Sequence, residues 1–151
     1  MADATIDDLS ARLEHLEACT AIEEVLYTYG CALDYDDRGR FLACFTPDAE
    51  YVVSARIVDA VLLEFHGHDE LGAYFDGHTH APAAWHKHVT TNPSVTVTGE
   101  TAVVTSYFLR VDSGDEAGPP TTIASGRYLD TFVRDGGAWR IRSRRCEIEN
   151  M

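Results

Sequence analysis

The sequence predicts an α+β fold, on three observations. Apolar residues recur at helical spacing through the first third of the chain, then give way to short β-branched and aromatic runs. Turn residues such as Gly99-Glu100 and Asp135-Gly136-Gly137 punctuate the later runs as hairpins would. The 151 residues suit a single domain, and a chain of that length buries roughly 70% of its unfolded surface, enough for a core without staples. Helices first and antiparallel strands after place the helices on one face of a curved sheet.

Each element has its own reason. Thr5 followed by Asp8 resembles an acidic capping box, which starts a helix near Ile6. Leu9, Leu13 and Leu16, then Ile22, Val25, Leu26, Tyr29 and Leu33, recur at 3.6-residue spacing to about Asp34. Asp37 is placed to cap a short helix holding Phe41, Leu42 and Phe45, with Pro47 ending it. Ala49–Ala55 and Val61–His66 read as strands, and Asp69–Phe75 as a short helix with Leu71, Tyr74 and Phe75 on one face. Beyond Pro82, strands are predicted over His86–Thr91, Ser94–Thr98, Ala102–Val111, Thr121–Val133 and Trp139–Glu149, with a polar loop over Asp112–Pro120. In the last strand Trp139 and Ile141 point one way and Arg140 and Arg142 the other, so one sheet face is wet and one covered.

Composition narrows the function. With 45% hydrophobic and 25% charged residues the chain is neither a disordered tail nor a disulfide miniprotein. Twelve basic against 25 acidic residues give a net charge of −13. That balance argues against nucleic acid, which needs clustered Lys and Arg, and against an anionic membrane surface. No run approaches 18 apolar residues, and the acidic N-terminus lacks a leader pattern, so a cytoplasmic protein is expected. Cys19, Cys31, Cys44 and Cys146 form no Cys-x-x-Cys and read as four small buried side chains in a reducing compartment.

Six of the seven histidines lie between residues 66 and 88, as three His-x-His pairs: His66/His68, His78/His80 and His86/His88. On a strand, His86 and His88 share a face and could reach one ion. A cupin-type set would also need a nearby glutamate and a distant histidine. No acid follows His88 until Glu100 and no histidine follows it at all, so no metal site is expected. Asp34 ends an otherwise apolar helix face; paired with His88 in an apolar pocket it would fix one imidazole tautomer and make a base that works near neutrality. No Gly-x-Ser-x-Gly elbow and no Gly-rich phosphate loop with its lysine is present.

Several segments resemble the nuclear-transport-factor-2-like superfamily, and within it the SnoaL-like polyketide cyclase family with its relatives scytalone dehydratase and ketosteroid isomerase. They are Ala21-Ile22, Tyr29, Ala32-Leu33-Asp34, Phe45-Thr46-Pro47-Asp48-Ala49 and His88-Val89-Thr90-Thr91-Asn92-Pro93. Ser106-Tyr107-Phe108, Ser125-Gly126-Arg127-Tyr128 and Gly137-Ala138-Trp139-Arg140-Ile141 extend the match, which covers about residues 10 to 148. The resemblance implies a cone-shaped α+β barrel, a strongly curved, mainly antiparallel sheet wrapped around the N-terminal helices, with an apolar pocket at its open end. It implies pairing as a homodimer, with a trimer as the alternative.

The resemblance also implies residue roles. Asp34 falls where the dehydratase-like members carry their catalytic aspartate, His88 where they carry its partner histidine, and Tyr29 at a pocket tyrosine. Tyr107 aligns with a second catalytic histidine of scytalone dehydratase, a departure that leaves a phenol to donate a hydrogen bond. Asn92, His86, Tyr51 and Arg127 complete the candidate set as substrate-binding residues. The implied function is a cofactor-independent dehydratase, cyclase or isomerase acting on a small or polycyclic, apolar or aromatic, carbonyl-bearing substrate. The competing implication is a non-catalytic binder or structural subunit like the β subunit of ring-hydroxylating dioxygenases.

Overall fold

The computed structural model describes residues 5–113 and 119–150. Of the expected Asp112–Pro120 loop, residues 114–118 therefore lie outside the described residues.

The first helix, α1 (Ile6–Asp34), starts at the expected capping box: the Asp8 N–H donates to the Thr5 hydroxyl at 3.1 Å, and the Thr5 N–H to the Asp8 carboxylate at 3.0 Å. It runs unbroken for 29 residues, about 44 Å at 1.5 Å per residue. Ile22, Leu26, Tyr29 and Leu33 are in the core, whereas Leu9, Leu13 and Leu16 are exposed. Asp37 caps α2 (Arg38–Ala43) by accepting from the Arg40 N–H. Phe45 does not belong to that helix, contrary to expectation, and the helix ends at Ala43, ahead of Pro47. The Cys44 carbonyl accepts from the Ile141 N–H at 2.8 Å, which turns the chain into strand β1 (Phe45–Ala55). Pro47 sits where the ladder from β1 to its parallel neighbour shifts register, between Phe45 and Glu50, so its missing N–H is tolerated there.

Strand β2 (Ala60–His66), helix α3 (Gly67–Asp76) and strands β3 (His86–Thr98), β4 (Thr101–Asp112), β5 (Thr121–Asp135) and β6 (Ala138–Asn150) follow. The two short strands expected around Asn92-Pro93 are one strand, β3, interrupted by a bulge. Asn92 takes a positive φ of 53° and the register against β4 shifts between Thr91 and Ser94. The sheet order is β2-β1-β6-β5-β4-β3, antiparallel except for the β1–β6 pair. No helix among the described residues is long and apolar enough to cross a membrane.

The expected cone-shaped barrel is not formed. The sheet is open and not strongly curled: β2 and β3 are its two edges and do not pair with each other. The physical reason lies in what fills the inner face. The second half of α1 packs against β3 and β6, and α3 packs against β1 and β2. Aromatic rings of Tyr29, Phe41, Phe45, Tyr51 and Phe75 interlock between helices and sheet. A sheet whose inner face is already covered by helices gains no further burial by closing on itself.

The last strand holds a departure from simple alternation. Trp139 and Ile141 face inward, as expected, but the pairing with β5 shifts between Thr131 and Phe132, with Thr131 opposite Ser143 and Phe132 opposite Ile141. Arg142 is the extra residue of this bulge. The inward parity therefore changes, and Arg144 and Cys146 point into the core. Arg144 pairs with the equally buried Asp130 through two bonds of 2.9 and 2.7 Å, and its Cζ lies 4.3 and 4.1 Å from the ring centres of Tyr29 and Tyr128. Of the cysteines, Cys44 and Cys146 are buried as expected, Cys19 is half-buried and Cys31 is exposed.

Candidate active site

Helix α1 reaches edge strand β3 where a glycine allows it. A Cβ on Gly30 would lie 2.5 Å from the His88 carbonyl oxygen, so only the absence of a side chain permits this approach. Asp34, one turn further on, is consequently brought onto His88. One carboxylate oxygen accepts from the His88 ring Nδ1–H at 2.7 Å, and the other accepts from the His88 backbone N–H at 3.0 Å. An edge strand presents backbone donors that no neighbouring strand can take, and here the carboxylate takes one of them. Asp34 is only 3% exposed and ends a helix with no basic residue in its last turn. Burial and the negative end of the helix dipole both work against a carboxylate there, and the two His88 bonds offset them.

His88 opens onto a cavity of about 240 Å³. Its polar wall is Tyr29, Tyr51, Tyr74, His78, His88 and Arg110; Val53, Leu63, Phe108 and Ile148 are among the apolar lining. The Tyr29 and Tyr51 hydroxyls are hydrogen-bonded at 3.0 Å. Burial raises the pKa of Tyr29, Tyr51 and Tyr74 above the ordinary phenol value, so all three remain hydroxyl donors at neutral pH. A larger groove of about 400 Å³ lies elsewhere, between α1 and the start of β6, lined by Val25, Cys44 and Trp139 among others. It lacks a paired acid and base, so the chemistry favours the smaller cavity.

Two more histidines adjoin His88. The ring centres of His78, His86 and His88 are separated by 5.1, 5.3 and 5.2 Å. The His78 Nδ1–H donates to the Thr79 carbonyl at 2.7 Å. The His86 Nε2 is 3.6 Å from Asp34 and, though buried, has no hydrogen-bond partner. Burial depresses His78 to about 4, against the opposing Thr79 bond, and His88 and His86 push the same way as burial. Burial and the His88 charge likewise lower His86, with Asp34 opposing.

The expected site residues divide into two groups. Asp34, His88, Tyr29, Tyr51 and His86 are gathered at or directly behind the cavity wall. Helix α1 need not fray for Tyr29 and Asp34 to converge: both are buried on its inner side. Tyr107, Asn92 and Arg127 lie elsewhere. Strand alternation turns Ser106 and Phe108 inward and leaves Tyr107 outward, 54% exposed. Asn92 is exposed at the β3 bulge, where it accepts from the Thr91 hydroxyl. Arg127 is on the outer side of β5, paired with Glu147 and Glu149.

The His-x-His grouping also dissolves. His66 pairs with Glu64, His68 bonds the Phe45 carbonyl, and His80 bonds the Leu33 and Phe75 carbonyls. Only His78 of the second pair joins the third pair, because it follows α3 in a loop where period-2 reasoning has no force. His78, Tyr74 and Arg110 were not among the expected site residues. Tyr74 was legible only as a member of an apolar helix face.

The SnoaL-like domain family matches residues 14–145 of the chain. No curated protein matches it. Among solved structures, an NTF2-like protein with a cystatin-like fold from Novosphingobium aromaticivorans superposes with a TM-score of 0.84 at 25% identity, over 97% of this chain and 92% of that one. A protein provisionally assigned as a scytalone dehydratase from the same organism gives 0.70 at 24% identity, over 91% and 86%. The provisionally assigned β subunit of an aromatic-ring-hydroxylating dioxygenase, again from that organism, gives 0.77 at 22% identity, over 91% and 92%. The last two likenesses concern the fold alone.

Proposed function

The chain belongs to the SnoaL-like domain family, and from that premise we propose that it is a general acid–base enzyme with His88 as its base and Asp34 as the residue that orients it. The observation that carries this reading is the Asp34–His88 pair, with its carboxylate buried, opening onto a small cavity. With Nδ1–H donated to the carboxylate, a neutral His88 has its lone pair at Nε2, the nitrogen left for the cavity. A proton next to a substrate carbonyl passes to that nitrogen, and the electron pair of the C–H bond moves onto the carbonyl oxygen as an enolate. In the Tyr29–Tyr51 hydroxyl pair one proton is spent on their mutual bond, which leaves the other hydroxyl as a donor, in the same cavity, to the developing negative charge. The proton held on His88 Nε2 is then returned: to a β-hydroxyl that the enolate expels as water, to the oxygen of a second carbonyl that the enolate attacks, or to another carbon of the enolate, giving dehydration, cyclisation or isomerisation. This reaction uses no cofactor.

The cavity limits the substrate. About 150 Å³ takes one benzene ring, so a cavity of about 240 Å³ suits one or two fused rings rather than an extended polycycle. The test works with simple surrogate ketones in place of the natural substrate. Mono- and bicyclic ketones and β-hydroxy ketones are incubated with protein in D₂O, and α-deuteration is followed by NMR. Exchange that Asp34→Asn loses supports the reading. Ketones that bind but exchange no faster than in buffer would assign the cavity to a non-catalytic binder instead.

A further inference from the structure

We propose that His78, His86 and His88 form a binding site for a divalent transition cation of the zinc class, with Asp34 as the carboxylate that orients His88. The inference goes beyond the acid–base reading and shares His88 with it.

Three independent observations support the site. The first is spacing. One ring nitrogen from each histidine lies within 4.8 Å of the others. In a tetrahedral zinc site with Zn–N of about 2.0–2.1 Å, three imidazole centres are roughly 5.2–5.3 Å apart. The three ring centres here are separated by 5.1, 5.3 and 5.2 Å, so the rings already stand at that separation.

The second observation is orientation. A ligating imidazole characteristically donates its other N–H to a carboxylate or backbone carbonyl. His88 does so to Asp34 and His78 to Thr79, each leaving Nε2 for an ion. The third is an orphaned atom. His86 is 2% exposed, and its Nε2 is buried without a hydrogen-bond partner. Buried polar nitrogens are rarely left so, and a cation would satisfy this one. Three protein ligands leave a fourth position for water or a substrate oxygen. Because the ion takes the Nε2 of His88, ion and substrate proton compete for one atom.

The test uses full-length protein without a histidine tag, stripped with chelator and titrated with Co²⁺ as the optical probe. The expected result is saturable 1:1 binding with the intense visible bands of tetrahedral cobalt, displaced by Zn²⁺. His86→Gln and His78→Gln should each abolish those bands; His78 is only half-buried, so its variant folds even if the His86 variant does not. Asp34→Asn should weaken binding about 10–100-fold while retaining the bands. Absence of 1:1 binding overturns the inference, as does binding that survives both glutamine variants, since a histidine outside the cluster, such as exposed His15 or His66, would then be the chelator. Ketone exchange without cobalt binding defeats this inference and leaves the acid–base reading standing; cobalt binding without exchange does the reverse.

Discussion

The carboxylate of Asp34 holds His88 at two points, ring Nδ1 at 2.7 Å and backbone N–H at 3.0 Å, so one side chain fixes both the tautomer of the imidazole and the position of its strand. Asparagine at position 34 can keep the backbone bond while presenting the wrong partner to the ring. Asp34→Asn should therefore fold and lose turnover by about 10²–10⁴-fold. His88→Gln should lose a similar amount, and the double variant little more than either, because the two act as a unit. Additive losses in the rate of ketone α-deuteration would contradict a joint role.

Gly30 should be intolerant of even one methyl group. Its Cβ would meet the His88 carbonyl, a backbone atom that cannot rotate away. Gly30→Ala should cost about 1–3 kcal/mol in urea denaturation through overpacking, despite the better helix propensity of alanine. The same variant should lower deuteration rates by moving Asp34 away from His88. A neutral or stabilising result would mean that α1 and β3 are not held this closely.

The buried pair Arg144–Asp130 should behave asymmetrically. Arg144→Met alone leaves a buried carboxylate uncompensated and should destabilise by about 3–5 kcal/mol. Adding Asp130→Leu should recover most of that loss, since apolar replacement of both partners is often neutral. Chemical denaturation of the two singles and the double would decide. No recovery in the double would show that the sandwich of Arg144 between Tyr29 and Tyr128, rather than the charge pair, carries the stability.

Phenols inside and outside the cavity should separate cleanly. Tyr29→Phe removes the hydroxyl bonded to Tyr51 and should cost on the order of one hydrogen bond, about 0.5–1.5 kcal/mol in transition-state stabilisation. Tyr107→Phe should leave turnover unchanged, because that side chain lies on the outer face of β4. Equal kinetic effects from the two would argue against this cavity as the reaction site.

Acid should destabilise metal-free protein through His78. Unfolded, a histidine protonates near 6.5; folded, His78 does so only near 4, and His86 is shifted in the same direction. Between those values the unfolded chain binds more protons, so stability rises with pH across the window and is lost on acidification through it. After discounting for partial exposure, His78 accounts for up to about 2 kcal/mol of that change. Melting curves from pH 4 to 7 in chelator should show a shallower slope for His78→Gln than for wild type. Parallel slopes would refute the assignment.

Local order was largely legible in the chain itself. The Thr5–Asp8 box, the Asp37 cap, the strand runs and the Gly99 and Gly136-Gly137 turns depend on residues a few positions apart, where propensity and capping chemistry act directly. The candidacy of Asp34 and His88 was legible too, through residue type, placement and family resemblance. Their double contact was not, because it depends on the missing Cβ of Gly30 and on β3 being a sheet edge.

What the tertiary structure alone decided were the relations between distant residues. Whether the sheet closes is settled by what covers its inner face, and the helices on that face leave it open rather than coned. The inward turn of Arg144 is settled by a one-residue bulge that reverses strand parity, which no alternation pattern reveals beforehand. Strand parity likewise excludes Tyr107, helix packing admits Tyr74, and loop geometry brings His78 to the His86/His88 pair. Sequence periodicity reports which face of an element is apolar; only packing reports which faces meet, because burial is shared between segments that the chain keeps far apart.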